Sequence, residues 1–395
     1  MIVTPKFRGF ICTTSHPVGC EYNVKQQVNY VKEQKKIDGA KKVLVIGAST
    51  GYGLSSRIAA AFGCGAATIG LFFERPAAGN RTASAGWYNT AAFEKLAKEE
   101  GLYAKSINGD AFSNEIKQQT IEMIKKDLGK VDMVIYSLAS PRRTHPDTVE
   151  VFNSVIKPIG PAYTSKTVDF HTQQVTDITI EPANDDEIRQ TIAVMGGEDW
   201  EMWMDELKKA DVLENNAITL AYTYVGPNMT HAVYREGTIG RAKDDLEATA
   251  GKITEKLKDI GAKAYVSINK AVVTQASAAI PVISLYVSIL FEIMKQKNNH
   301  EGCIEQMYRM FNDRLYSGDL KLDSKGRICM DDWEMGADVQ TEVLKLWNEA
   351  NSENVKTISD IDGYRTEFFK LFGFEFDAVD YNAEVEIDVK IGSIE

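Results

Sequence analysis

The chain predicts an α/β fold in which a doubly wound parallel sheet carries helices on both faces. Short apolar runs, beginning with Val43 to Ile46, alternate with longer segments of helical period. The first run leads through a glycine-rich turn into a helical segment. Repeated strand and helix units of this length imply right-handed crossovers between parallel strands. These three observations together indicate a Rossmann-type domain.

Composition narrows the class of protein. The chain has 395 residues, of which 44% are hydrophobic and 26% charged, as in soluble globular proteins. A net charge of -11 argues against general affinity for nucleic acid or anionic membranes. Five widely separated cysteines predict reduced thiols, a cytoplasmic location and no metal site. The N-terminus has no pattern of a secretory signal.

One uncharged stretch, residues 271–291, has the length of a membrane span. It contains several polar side chains and a central Pro281, and proline is favoured in the first turn of a helix. We therefore predict a loop followed by a buried helix that begins near Pro281, and no stable membrane insertion.

The segment from Lys41 to Ser56 predicts a nucleotide site. Its strand is followed by Gly47, Gly51 and Gly53, and then by a helix over residues 54–62. Glycines allow a tight turn and close backbone approach, while the helix N-terminus offers N–H groups to a diphosphate. The spacing Gly-x3-Gly-x-Gly is typical of short-chain dehydrogenase/reductase enzymes.

The next predicted strand, residues 67–73, ends at Glu74, about twenty residues after Gly53. A carboxylate there accepts hydrogen bonds from the ribose hydroxyls of the adenosine and repels a 2′-phosphate, which favours NADH over NADPH. Two alternatives remain, since Glu74 could be a solvated surface residue and Arg75 could receive a phosphate.

Further elements follow in order. We predict a helix over 90–100, a strand over 103–107, a helix over 114–128 and a strand over 131–138. The strand ends place Asp110 and residues 137–139 beside the glycine turn. Asp110 could contact adenine, or it could be a turn residue or the cap of the following helix. Thr274 and Ser277, which follow the last strand (263–273), could contact the nicotinamide carboxamide or the diphosphate.

We expect one large domain over residues 1–395. Its core covers about 41–297 and is preceded by a β-like start at 7–13 and a helix at 23–34. An irregular insertion at about 141–185 is predicted to cover the substrate, and weak alternation at 175–180 suggests a small hairpin within it. Helices are predicted at 186–194, 198–210, 303–315, 338–348 and 364–374, the last three in a C-terminal helical extension from about 298.

Tyr234 and Lys243 predict the chemistry. They flank a Gly-Thr-Ile-Gly turn before a long amphipathic helix. A nearby ammonium stabilises a phenolate and is expected to lower the pKa of Tyr234, which suits a proton donor at neutral pH. The pair could equally lie on a helix surface without function.

Seven segments carry a family resemblance: GASTGYG, AGWYN, GDAFSNE, VIYSLASPRR, MGGEDW, AYTYVGP and YREGTIGRAK. Together with HPVGC near the start and YRTEFF near the end, they resemble the NADH-dependent trans-2-enoyl reductase family. The most specific element is Tyr-x8-Lys, here Tyr234 to Lys243, whereas ordinary short-chain dehydrogenases use Tyr-x3-Lys.

The resemblance implies reduction of a trans-2-enoyl thioester by NADH. It implies that Tyr234 is the proton donor or enolate stabiliser, that Lys243 is its partner, that Tyr224 lies near the substrate carbonyl and that Tyr364 contacts the acyl chain. The cofactor-binding residues that it implies are Gly47, Ser49, Gly51, Tyr52, Gly53, Glu74, Asp110, Ala111, Leu138, Ala139, Lys243 and Thr274.

The resemblance leaves the acyl carrier open between coenzyme A and acyl carrier protein. Analogy to the reductases of anaerobes favours coenzyme A, and Arg142 and Arg143 could contact its phosphates or lie in a solvated loop. A monomer or weak dimer is expected. A ketone or alcohol dehydrogenase would use the same Tyr and Lys but predicts a serine where this chain has Tyr222-Thr223-Tyr224, and a non-catalytic NAD-binding regulator is a third reading.

Overall fold

The computed structural model describes residues 1–8, 11–278, 280 and 282–394. Its strands, in chain order, are β1 (Phe7–Arg8), β2 (Ile11–Cys12), β3 (Lys42–Ile46), β4 (Ala67–Phe72), β5 (Ala104–Asn108), β6 (Val131–Tyr136), β7 (Arg142–Thr144), β8 (Val151–Asn153), β9 (Tyr163–Asp169), β10 (Gln174–Ile180), β11 (Leu213–Thr223), β12 (Lys263–Ile268) and β13 (Ile328–Cys329).

The helices in the same residues are α1 (Pro17–Glu33), α2 (Gly51–Ile58), α3 (Ala85–Glu99), α4 (Asn114–Asp127), α5 (Asp185–Met195), α6 (Glu198–Lys209), α7 (Asn228–His231), α8 (Thr238–Lys256), α9 (Gln275–Ala278), α10 (Ile283–Gln296), α11 (Cys303–Arg309), α12 (Ala337–Glu349), α13 (Val355–Ile358) and α14 (Ile361–Lys370). Two π-helical turns, Ala59–Gly63 and Met310–Leu315, continue α2 and α11.

A seven-stranded sheet forms the centre of the molecule, with strand order β13-β12-β11-β6-β3-β4-β5. All its neighbouring strands pair in parallel. The chain leaves β3 in one direction to β4 and β5, and then returns to build β6, β11, β12 and β13 on the other side. The order therefore reverses between β3 and β6, which is where such sheets bind ligands. The predicted doubly wound fold is confirmed.

The apolar residues of β3 are buried on both faces of the sheet, as expected of a central strand. Val43, Leu44, Val45 and Ile46 are each fully buried, with helices covering both faces of the sheet. An apolar run without alternation suits such a strand, because neither face meets water. The C-terminal helices extend this core, since α12 and α14 pack against α10 and bury an aromatic cluster there.

Several predicted boundaries were wrong. Helix α1 begins at Pro17, six residues earlier than expected, because His16 caps it by accepting a hydrogen bond from Gly19 N–H at 3.2 Å. The last long strand ends at Ile268 instead of Val273. Pro281, where a helix start was predicted, lies outside the described residues, and α10 begins at Ile283. The short edge strand β13 was not predicted.

The irregular stretch after β6 contains two antiparallel hairpins, β7–β8 and β9–β10. The small hairpin suggested by the alternation at 175–180 is confirmed as β9–β10, whereas β7–β8 was not predicted. Lys166 on β9 ties this hairpin to the end of α12 by donating to the carbonyl oxygens of Trp347, Asn348 and Ala350 at 3.0–3.2 Å. Among the described residues, no helix combines the length and the apolar character needed to cross a membrane.

Candidate active site

The turn between β3 and α2 has the backbone that its glycines predict. Gly47 and Gly51 adopt φ values of +88° and +53°, where other residues are strained. A Cβ on Gly47 would lie 2.1 Å from the carbonyl oxygen of Ser137. Helix α2 begins at Gly51, and its N-cap residue Thr50 makes no side-chain cap bond. The N–H groups of the first turn therefore face the cleft without a cap, as an anion site requires.

A cleft of about 660 Å³ runs along the carboxyl ends of β3, β4, β5 and β6. It brings together ten of the predicted cofactor-binding residues: Gly47, Ser49, Gly51, Tyr52, Glu74, Asp110, Ala111, Leu138, Ala139 and Thr274. Sequence reasoning missed the aromatic Phe73 and Phe112 and the polar Gln275 on the same walls.

Gly53, an eleventh predicted residue, is absent from these walls and lies behind the turn. A Cβ there would lie 1.8 Å from the carbonyl oxygen of Gly47. Its role in this structure is close packing of α2 against the end of β3.

Glu74 is held at the rim of the cleft. Its Oε1 accepts a hydrogen bond from the Ser49 hydroxyl at 2.8 Å, and its backbone N–H donates to Asn108 Oδ1 at 2.9 Å. These bonds orient the carboxylate across the glycine turn, where it can meet a ribose. Arg75 beside it is exposed.

We expect Glu74→Ala to raise the KM for NADH by about 10- to 100-fold, because one or two hydrogen bonds to a charged acceptor are lost. The preference for NADH over NADPH should fall with it, since the charge that repels a 2′-phosphate is gone. Initial rates with each nucleotide test this. Glu99→Ala, which removes an exposed carboxylate at the end of α3, is the matched control, and an unchanged nucleotide preference in the Glu74 variant would contradict the assignment.

Asp110 is a turn residue that also faces the cleft. Its Oδ1 accepts a hydrogen bond from Phe112 N–H at 3.0 Å, which fixes the chain after β5. The cap of α4 is Ser113, whose hydroxyl accepts from Ile116 N–H at 3.2 Å, so the alternative that Asp110 caps this helix is wrong.

A second, smaller cavity of about 200 Å³ opens from the cleft. The walls of this tyrosine cavity include Tyr224, directly after β11, Tyr234, in the turn between α7 and α8, and Lys243, in α8. The two tyrosine rings meet edge to face with centroids 5.1 Å apart. The residues that line both cavities are Tyr52, Ser137, Leu138, Ala139 and Thr274.

The expected effect of Lys243 on Tyr234 is wrong. The Lys243 Nζ donates to the carbonyl oxygen of Tyr222 at 3.1 Å, and burial raises the pKa of Tyr234 to about 12. Burial also lowers the pKa of Lys243 to about 8, against a smaller opposing effect of Glu247. Tyr234 is thus a protonated phenol at neutral pH, while Lys243 carries a charge that disappears as the pH rises through about 8.

Behind Tyr224 lies a carboxylate that sequence reasoning did not find. Glu334, in the loop between β13 and α12, is fully buried, and its Oε1 accepts from the Tyr224 hydroxyl at 2.9 Å. Burial raises the pKa of Tyr224 well above its usual range, and the adjacent Glu334 adds to the shift.

A third cavity, of about 850 Å³, adjoins both of the others. It shares Ala139 and Met195 with the tyrosine cavity and Glu74 with the cleft. Phe368 and Phe372 form part of its apolar wall, and exposed Arg75 also lines it. The arrangement offers a route by which an apolar chain with an anionic head could reach the tyrosines.

Two other predicted residues lie elsewhere. Tyr364 is fully buried, packs on Phe170 with ring centroids 5.5 Å apart and lines none of these three cavities. Arg143 is neither solvated nor available to a phosphate, because it is buried and donates to Glu198 Oε2 at 2.6 Å. Arg142 is exposed on the wall of the cleft.

Three family models match the chain. Residues 81–316 match the trans-2-enoyl-CoA reductase catalytic region, and residues 2–79 match the NAD(P)H binding domain of trans-2-enoyl-CoA reductase. The second range contains β3, the glycine turn and β4, and both the turn and the end of β4 contribute residues to the walls of the cleft.

The third model, over residues 322–385, is described as an enoyl reductase FAD binding domain. The residues present do not fit a flavin. The helices of this range bury Val339, Val343 and Phe368 against α10. Within its described part, no strand leads through a glycine-rich turn into a helix of the kind that holds the diphosphate of a dinucleotide.

Curated relatives and solved structures agree with these matches. The trans-2-enoyl-CoA reductase (NADH) of Ruminiclostridium cellulolyticum is 82% identical over 391 residues, with 99% of each chain covered. The enoyl-[acyl-carrier-protein] reductase (NADH) of Flavobacterium psychrophilum is 61% identical over 395 residues, with both chains fully covered.

The crystal structure of Clostridium acetobutulicum trans-2-enoyl-CoA reductase in complex with NADH superposes with a TM-score of 0.97 at 45% identity, covering 99% of this chain and 100% of that one. The Treponema denticola trans-2-enoyl-CoA reductase in complex with NAD gives 0.95 at 49%, with the same coverage. This chain belongs to the trans-2-enoyl-CoA reductase family.

Proposed function

We propose that this protein reduces the double bond of trans-2-enoyl-CoA with NADH, and that the reaction takes place in the tyrosine cavity. The observation that carries the proposal is the junction of two cavities. A cleft with the features of a dinucleotide site opens into a smaller space with two phenol groups on its wall. The family membership supports the same reaction.

Three parts of the site would bind the nucleotide. The N-terminus of α2 would hold the diphosphate, Glu74 the adenosine ribose, and Lys243 and Thr274 the nicotinamide half. When bound, NADH supplies a hydride for the β-carbon of the substrate.

The two tyrosines of the cavity would stabilise the negative charge that develops on the substrate carbonyl. Negative charge develops on the thioester oxygen, and the Tyr234 hydroxyl, protonated at neutral pH, would donate a hydrogen bond to it. Tyr224, whose ring contacts that of Tyr234, would be the second donor. Protonation of the α-carbon completes the saturated acyl thioester. Lys243 shares the wall of this cavity, and its positive charge would favour the negative charge that develops on the substrate, so activity should decline as the pH rises through about 8.

We further propose coenzyme A as the carrier and the cytoplasm as the location, with the chain acting as one large domain and as a monomer or weak dimer. Exposed Arg75 and Arg142, near the access route, supply cations for the phosphates of coenzyme A. The relative with 82% identity is a reductase of enoyl-CoA, and the relative with 61% identity is a reductase of enoyl-[acyl-carrier-protein]. The higher identity to the first also favours coenzyme A.

Incubation of the purified protein with NADH and crotonyl-CoA tests the reaction, with nicotinamide absorbance as the readout. We expect consumption with crotonyl-CoA and none with acetoacetyl-CoA. The reverse pattern would indicate a ketone reductase, and no consumption with either would indicate a binding protein without catalysis.

The carrier is tested with the same acyl group on coenzyme A and on acyl carrier protein. We expect kcat/KM to be higher by about tenfold or more for the CoA thioester, the worth of one lost charge-assisted contact. Inverted values would assign the protein to carrier-protein substrates, and equal values would show that it does not distinguish the two carriers, which would contradict the proposed preference. Arg75→Ala should reduce the difference, and Arg81→Ala, at a nearby position outside the three cavities, is its control.

A further inference from the structure

The carboxyl group of Glu334 sits at the centre of a buried hydrogen-bond network behind Tyr224. Its Oε2 accepts from the backbone N–H of Ala271 at 2.7 Å. Its Oε1 lies 2.6 Å from the Tyr286 hydroxyl and 2.9 Å from the Tyr224 hydroxyl. Gln340 of α12 donates to the Tyr286 hydroxyl at 3.1 Å. Both carboxyl oxygens of Glu334 and both tyrosine hydroxyls are therefore engaged, and the positions of the protons decide what each group can do.

The Tyr286 hydroxyl proton has one available direction. Because the Tyr286 oxygen already accepts from Gln340, its own proton is directed at Glu334 Oε1. Tyr224 has a single hydroxyl proton. If Glu334 is ionised, that proton also points at Oε1, away from the substrate cavity. If Glu334 is protonated, its O–H donates to the Tyr224 oxygen, and the Tyr224 proton is released to point into the cavity.

We propose that Glu334 is a positioning residue, and that its own proton determines whether the Tyr224 hydroxyl donates to the carboxylate or to the thioester oxygen of the substrate. The proposal rests on the function proposed above, in which Tyr224 faces the substrate carbonyl. Glu334 touches neither substrate nor nucleotide in this scheme and acts only through Tyr224. No proton is consumed by the step, because the Glu334 proton stays on its oxygen while the phenol O–H turns.

The surroundings of Glu334 come from several elements. Lys270, fully buried after β12, is the nearest cation, and burial lowers its pKa to about 8. Asp331 lies in the same loop, and burial together with the charge of Glu334 raises its pKa to about 7. The phenols of Tyr224, Tyr286 and Tyr52 complete the set. Burial raises the pKa of Glu334 itself, while Lys270 and the hydrogen bonds oppose this effect, so the protonated form persists to higher pH than in a solvated carboxyl group.

Glu334→Gln is the decisive variant. Its amide oxygen can keep the bond from Ala271 N–H, which leaves the NH₂ group to donate to Tyr224 at every pH. We expect kcat to fall by no more than about threefold at any pH, because Tyr224 stays free to donate to the substrate, whereas loss of that donor costs about 10²–10³. The profile of kcat/KM for crotonyl-CoA against pH should lose one ionisation, that of Glu334. Lys243 and Lys270 remain, so the profile is simplified and does not become flat.

Tyr286→Phe is a second test that leaves the carboxyl group in place. It removes a donor that stabilises the ionised form of Glu334, so the protonated form persists to higher pH. We expect the corresponding limb of the profile to move up by about one to two pH units. This variant decides the question if Glu334→Gln does not fold, and a limb that does not move would overturn the proposal.

A double-variant cycle separates this role from general stability. In a Tyr224→Phe background, Glu334→Gln should change neither kcat nor the pH profile, because the group on which it acts is gone. The proposal is overturned if Glu334→Gln keeps the wild-type profile, if it lowers kcat to the level of Tyr224→Phe with an unchanged Tm, or if its effect is the same in both backgrounds. If the wild type does not oxidise NADH with crotonyl-CoA, the proposed function has failed and Glu334 is not at issue.

Discussion

Replacing Tyr234 by Phe should lower kcat for crotonyl-CoA by about 10²–10⁴, the usual contribution of a positioned proton donor. The substitution removes only the hydroxyl and leaves the ring that meets Tyr224 edge to face. Because Tyr234 lines the tyrosine cavity and not the larger cleft, the affinity for NADH should hold. Steady-state rates and a fluorescence titration with NADH measure the two quantities separately.

Tyr265→Phe is the matched control for this experiment. Tyr265 lies on β12, outside the walls of the three cavities, and should tolerate the loss of its hydroxyl without a change in rate. A Tyr234→Phe variant with full activity would remove Tyr234 from the chemistry. Equal losses of kcat and of NADH affinity would instead indicate a general disturbance of the site.

Most of the predicted cofactor-binding residues line one cleft, and this grouping was predictable because its signals in the sequence are local. A buried strand, a turn that needs glycine and the start of a helix follow one another between Lys42 and Ile58. Parallel strands then place the ends of β4, β5 and β6 at the same edge of the sheet. Glu74, Asp110 and Leu138 could therefore be assigned to one cleft without knowledge of any long-range contact.

Contacts between distant segments could not be predicted, because they leave no local pattern in the sequence. Glu334 bonds to Tyr224 across 110 residues of chain, and the loop that carries it has no periodic pattern. Buried Arg143 donates to Glu198, which lies 55 residues away on α6. Even the Tyr234–Lys243 pair, close in sequence, gave a wrong electrostatic expectation, because the ammonium donates to the carbonyl oxygen of Tyr222.

We expect Gly53 to affect NADH binding although it does not line the cleft. Its missing side chain lets α2 approach the end of β3 so closely that a Cβ would lie 1.8 Å from the carbonyl oxygen of Gly47. That atom is backbone and cannot rotate away. A methyl group at position 53 must therefore push α2 away from the strand and displace the N–H groups that face the cleft.

We expect Gly53→Ala to raise the dissociation constant for NADH by more than about tenfold and to lower stability by about 1–3 kcal/mol, the usual cost of overpacking. Gly251→Ala is a matched control, because Gly251 lies within α8 and a Cβ there meets nothing within 4 Å. That control should be stabilised by roughly 0.5–1 kcal/mol, since alanine favours helix interiors. Thermal unfolding and NADH titration of both variants give the comparison. Normal NADH affinity in Gly53→Ala would mean that the turn adapts to the methyl group, and the diphosphate site would then not depend on this contact.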